Sequence, residues 1–258
     1  MTDVDVAWES EGGIARIRLN RPTKLNALSR AMIEELATAV AEIRSVSETR
    51  VVLVTSTSER AFSVGADLHE WNTYDGLAAY RACLHGQDVF DDLARLDVPT
   101  IAVIDGLALG GGLELALACD LRIASDRAAF GLPEAKLAGG VGWGGLSRLT
   151  PLVGPARAKD LVFTGRTIDA GEALAIGLLT SVHAPEKLAG AVGEVSQQII
   201  ANGSIPLQIG KQIIDALSQV PVPGLIEAIS GALFAETADA REGKAAFIER
   251  RPPTFKNA

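Results

Sequence analysis

Two runs, Val51–Thr55 (VVLVT) and Thr100–Asp105 (TIAVID), are apolar through their interiors, with no polar residue at alternate positions. A strand of that pattern is covered on both faces, as in a parallel sheet flanked by helices. Ile14–Leu19 instead alternates apolar and polar residues like a half-buried strand, and the turn-prone Arg21-Pro22-Thr23 follows it. Ser29 is placed to cap a helix in which Met32, Leu36, Val40 and Ile43 recur at helical spacing. Leu121–Ala124 reads as a weaker strand just after the helix-like Leu113–Cys119. Strands alternating with helices predict an α/β fold with a mostly parallel sheet.

After about Glu186 the strand signals stop. Leu188, Val192, Val195 and Ile199 share one helical face, as do Ile209, Ile213 and Leu217, and further helices are predicted over Leu225–Phe234 and Asp239–Arg250. Apolar stripes of this length need the core or a second copy of the chain to cover them, so oligomerisation is expected. No low-complexity linker or repeat divides the chain. The expected division is a core over 1–190 and a helical oligomerisation region over 191–258.

With 258 residues, 48% of them apolar, the chain is long enough to bury a large core. Its 24 basic and 32 acidic residues give a net charge of −8, which argues against a nucleic-acid partner but not against a small anionic ligand. Cys83 and Cys119 make no disulfide framework. The opening MTDVDVAWES lacks the basic-then-apolar character of a signal peptide, and no apolar run approaches the roughly 20 residues of a membrane span. A soluble cytoplasmic protein without a membrane partner is expected.

Three segments can carry chemistry. Ala61–Leu68 (AFSVGADL) follows a buried strand; its small residues let the Ala66 N–H approach a ligand, or simply connect a strand to a helix. In Gly106–Glu114 (GLALGGGLE), three glycines open a helix whose free N–H groups suit an oxyanion, with Glu114 in the first turn; the plain alternative is tight packing and a dipole-complementing glutamate. In the third, Phe130–Glu134 (FGLPE), Glu134 is placed for partial burial, which raises a carboxyl pKa. Two glutamates facing one pocket in different environments can divide the roles of base and acid, whereas most glutamates are solvated surface groups.

Gly140, Gly142 and Gly145 match GxGxxG, but no buried strand precedes them and the match lies mid-chain, against a dinucleotide site. His69, His85 and His183 lack ligand-like spacing, so no metal is expected. There is neither a GxSxG elbow nor a P-loop lysine.

Taken in order, Arg21–Leu28 (RPTKLNAL), Ala61–Asp67, Gly110–Ala116 (GGGLELA), Phe130–Glu134 and Gly144–Leu149 (GGLSRL) resemble the enoyl-CoA hydratase (crotonase) family. Phe163–Arg166, Ala173–Leu178 and Phe247–Arg250 extend the resemblance over almost the whole chain. It implies a spiral of ββα units with a C-terminal helical trimerisation region, assembled as a homotrimer or a hexameric dimer of trimers. It also implies an acyl-CoA thioester substrate, with no cofactor because CoA is part of that substrate. The thioester oxygen would be held by the N–H groups of Ala66 and Gly111, a large catalytic contribution when donors are preorganised. Glu114 would activate water, and Glu134, initially protonated, would protonate the α-carbon. Gly142 would line the same region.

The resemblance further implies CoA contacts at Lys24 and Leu25, at Ala66, Asp67 and Leu68, and at Phe247 and Arg250. Arg250 and His69 stand where lysines are common, changing donor geometry and charge. Val141 and Trp143 replace a proline and an alanine on either side of Gly142. Trp143 either points inward, shortening or flattening the acyl pocket, or outward as packing. Two matched glutamates favour hydration of a 2-enoyl-CoA; double-bond isomerisation or acyl-CoA binding without catalysis are the alternatives.

Overall fold

A computed structural model of the chain describes residues 5–218 and 237–254. Six strands form the main sheet: β1 (Val6–Glu11), β2 (Ile14–Leu19), β3 (Val51–Ser56), β5 (Thr100–Ile104), β7 (Leu121–Ser125) and β10 (Ser181–His183), hydrogen-bonded in that order. Only β1–β2 is antiparallel; every other neighbouring pair is parallel. Both faces are covered, which is why β3 and β5 read as unbroken apolar runs. Val52 and Val54 face the main core with α1 (Arg30–Arg44), whereas Val51 and Leu53 meet Leu188 and Val192 of α8 (Pro185–Ala201). Ser29 caps α1, its Oγ accepting the Met32 N–H at 3.2 Å.

A second sheet of three-residue strands lies in the order β4 (Ala61–Ser63), β6 (Leu107–Leu109), β8 (Ala129–Gly131), β9 (Thr167–Asp169). β4, β6 and β8 run parallel, with Ala61 opposite Leu107 and Leu109 opposite Gly131. Each follows a main-sheet strand, so β3–β4, β5–β6 and β7–β8 are successive turns of one spiral. Because the three short strands point the same way, the loops leaving them emerge side by side. Those loops lead into α2 (Leu68–Trp71), α4 (Gly111–Leu117) and a 3-10 turn over Pro133–Leu137.

The long α3 (Gly76–Ala94) packs beside α1, and α5 (Gly145–Val153) beside α4. α6 (Pro155–Thr164), α7 (Ala170–Ala175), α9 (Ser204–Ser218) and a last described helix, Ala238–Glu249, complete the fold. No described strand follows Glu186, as expected, and the last helix lies one residue from its predicted start and end. The helix predicted over Leu225–Phe234 and the side chain of Leu217 lie outside the described residues. Among the described residues no helix is long and apolar enough to cross a membrane.

Candidate active site

The segment Arg21–Leu28 is fixed first. Asn26 is fully buried, its Nδ2 donating to Ser56 Oγ at 2.7 Å and to the Phe62 carbonyl at 2.9 Å, while its Oδ1 accepts the Arg21 N–H at 2.7 Å. Leu28 then bridges to the strip after β4: its N–H donates to the Gly65 carbonyl at 2.7 Å, and the Asp67 N–H returns to the Leu28 carbonyl at 3.0 Å. Lys24 is exposed on this segment, Leu25 part-buried, and Leu68 begins α2. The Asp67 side chain is occupied structurally, pairing with Arg21 at 2.6 Å and capping α2 through the His69 N–H.

Gly65 holds a φ of +89°, and a Cβ built there would stand 2.9 Å from the Gly111 nitrogen. The strip carrying Ala66 therefore lies directly against the start of α4. Among the described residues the N–H groups of Ala66 and Gly111 donate to no other group. Two unspent amides on adjoining backbones suit an oxygen that gains negative charge.

Both sequence-identified glutamates have side chains near the start of α4. Glu114, 3% exposed, lies one turn into α4, and its Oε1 accepts the Trp143 N–H at 2.7 Å and the Gly145 N–H at 3.0 Å. Glu134 arrives from β8, which is held beside β6 by the Gly110 N–H to the Gly131 carbonyl at 3.0 Å. Its Oε1 lies 3.0 Å from where a Cβ of Gly110 would sit. The residue is part-exposed through its other atoms, yet Oε2 is shut away from solvent without a hydrogen-bond partner. Burial pushes its carboxyl pKa up to about 7, so its neutral form is within reach near neutrality. One carboxylate is thus fixed by two backbone donors and the other is readily protonated, the split environment of an acid–base pair.

Gly142 and Trp143 complete the wall. Cys83 Sγ would be 3.0 Å from a Cβ on Gly142; burial, then the charge of Glu114, pushes this thiol up to about 12, so it remains an S–H. Trp143 points inward: it is 5% exposed and set edge-on to Phe90 and Trp71, with ring centroids 5.6 and 6.1 Å away. Arg148 pins the loop, donating to the Trp143 carbonyl at 3.0 Å while pairing with Asp91 of α3. Phe247 and Arg250, by contrast, are exposed at the end of the last described helix, and Arg250 has no ion-pair partner among the described residues.

Asn26 and Arg148 were not singled out from the sequence as positioning groups. The signal available for Asn26 was a lone amide in a turn segment ahead of a capped helix. For Arg148 it was its place in the GGLSRL segment that carries the resemblance, which implied no role for it.

The model of the enoyl-CoA hydratase/isomerase family matches residues 9–258. A short-chain-enoyl-CoA hydratase of Clostridium acetobutylicum is 38% identical over 257 residues, covering 98% of each chain. The crystal structure of an enoyl-CoA hydratase from Bacillus anthracis aligns with a TM-score of 0.81 at 36% identity, over 98% of this chain and 100% of that one. That of an enoyl-CoA hydratase from Mycobacterium avium subsp. paratuberculosis gives 0.89 at 28% identity, over 98% of both. With its ordered motifs, its spiral of strand pairs and these matches over nearly its whole length, the chain belongs to the enoyl-CoA hydratase/isomerase (crotonase) family.

Proposed function

We propose that this chain is an enoyl-CoA hydratase, adding water syn across the double bond of a 2-enoyl-CoA thioester to give the 3-hydroxyacyl-CoA. The observation that supports this reading is that Glu114 lies in the first turn of α4 and Glu134 Oε1 lies beside Gly110 just ahead of that turn, near the unspent amides of Ala66 and Gly111. The thioester oxygen accepts from those two amides, drawing electron density from the β-carbon. Glu114 takes a proton from water as the water oxygen bonds to the β-carbon, and the π electrons move onto the thioester oxygen. Glu134 gives its proton to the α-carbon as the carbonyl re-forms. Transfer of the proton from Glu114 to Glu134 restores the resting pair. No cofactor enters these steps.

The CoA moiety lies along Lys24, Leu25 and the Ala66–Leu68 strip, with Phe247 and Arg250 toward the nucleotide end. Assembly as a homotrimer or hexamer is supported by the face of α9, where Ile205, Ile209, Ile213 and Ile214 stand exposed.

The test is conversion of crotonyl-CoA by purified protein, followed by loss of the conjugated-thioester absorbance and by incorporation of labelled oxygen from water. Glu134→Gln and Glu114→Gln are each expected to lower kcat by about 10²- to 10⁴-fold. Undiminished turnover in the double variant would refute the two-carboxylate mechanism.

A further inference from the structure

We infer that the slot formed by Gly86, Trp143 and Gly111 sets the acyl length this site accepts, with Trp143 the specificity-determining residue; the inference rests on the hydratase reading above. With the thioester oxygen at Ala66 and Gly111 and the reacting carbons at the two glutamates, the rest of the acyl chain must run past the first turn of α4. The indole occupies that ground. A Cβ on Gly111 would lie 2.3 and 2.5 Å from Trp143 Cζ3 and Cε3. One on Gly86 of α3 would lie 2.5, 2.7 and 2.8 Å from Nε1, Cδ1 and Cε2. The ring therefore spans the full gap between α3 and α4, seated at both ends on residues without side chains.

Gly86 stands inside a long helix, where glycine is a poor helix former, and the missing side chain is what admits the indole. Phe90 and Trp71 pack edge-on against the ring, with centroids 5.6 and 6.1 Å away. A cavity of about 460 Å³ between α1, α2 and α3 has Trp143 in its wall, whereas neither Glu114 nor Glu134 lines it. The indole is the partition that this cavity shares with the site. A short acyl group ends at the partition, and a longer one meets it.

The test measures kcat/KM for 2-enoyl-CoA thioesters from crotonyl- to decenoyl-CoA. The wild type is expected to lose about tenfold or more as the chain grows past crotonyl, the discrimination one methylene yields in a closed apolar pocket. Trp143→Ala is expected to reduce the crotonyl-to-decenoyl ratio by about tenfold or more. Gly86→Leu in the Trp143→Ala background, which refills the gap from the opposite helix, is expected to restore it. Trp143→Leu is the milder substitution should the alanine variant not fold. A flat wild-type series, or folded Trp143 variants with an unchanged ratio, overturns the inference and leaves hydration standing. Failure to hydrate any member overturns the hydratase reading and this inference together.

Discussion

The backbone N–H of Trp143 donates to Glu114 Oε1 at 2.7 Å while its indole lies across Gly111. One residue thus packs its ring on the start of α4 and fixes the Glu114 carboxylate with its backbone; in the proposed mechanism these are the acyl side of the site and the base. The position of the base consequently depends on the path of the chain through 142–145, which Arg148 and Asp91 hold to α3.

Gly145→Ala tests that dependence. Its Cβ would stand 2.6 Å from Glu114 Cγ and 2.9 Å from Val141 Cγ1, in a buried position with no room to yield. Overpacking of this kind costs about 1–3 kcal/mol. The displaced carboxylate is expected to lower kcat on crotonyl-CoA by about 10²-fold. A variant with wild-type kcat would show that the two backbone donors do not set the base.

The pH dependence follows from Glu134. Its pKa near 7 belongs to the free protein, and kcat/KM reports free-protein ionisations. In the proposed mechanism the acid form delivers the proton, so kcat/KM is expected to fall with unit slope above about pH 7. A profile flat through that range would contradict the assigned role.

Glu134 also links pH to stability. Its folded pKa is raised above the ordinary value of 4.5, so folding favours the proton. The favourable contribution is complete below pH 4.5 and is lost as pH rises toward 7. Glu134→Gln, which stays neutral, is therefore expected to have a higher Tm than the wild type at pH 8, with the gain shrinking toward pH 4. Thermal melts across that range measure it; an equal gain at both ends would remove the ionisation account.

Asn26→Ala removes the amide that joins the Arg21–Leu28 segment to β4 and leaves the Phe62 carbonyl and Arg21 N–H without that partner. Orphaning such buried groups costs about 1–3 kcal/mol. Denaturant unfolding is expected to show that loss, along with a reduced kcat, since the Leu28–Ala66 bridge rests on this segment.

Ile213→Asp places a charge on the exposed face of α9, where Ile213 is 54% exposed. Surface changes of this sort alter a single chain's stability by less than about 0.5 kcal/mol. Light scattering is expected to show the assembly falling to smaller species, while an unchanged mass would place the subunit contact elsewhere.

What could be read from the residues and what could not divides along physical lines. β3 and β5 were legible because α8 and the main core cover opposite faces, leaving no polar position to blur the run. The strands β4, β6 and β8 are three residues each, too short for any periodicity to appear, yet they bring Ala66, Gly111 and Glu134 together. The helix α3 escaped notice because part of its buried face is Ala79, Cys83 and Gly86, small groups that make a weak apolar stripe. Gly86 faces the Trp143 ring, and Cys83 faces Gly142. Glu114 and Glu134 were recognisable as a pair, but the placing of Glu134 beside Gly110 depends on β6 lying beside β8. The direction of Trp143 has no local signature; it is decided by two glycines on other elements.

The seat of Trp143 also makes substitutions at this site unequal. Any side chain at Gly86 or Gly111 would collide with the ring at 2.5 or 2.3 Å, so the ring can keep this seat only while both positions are glycine. Replacing the ring has no such prerequisite, since a smaller residue can take its place and leave an empty groove. On the specificity proposed for Trp143, a single substitution there broadens the acyl groups accepted, whereas narrowing a site that lacks the paired glycines takes several.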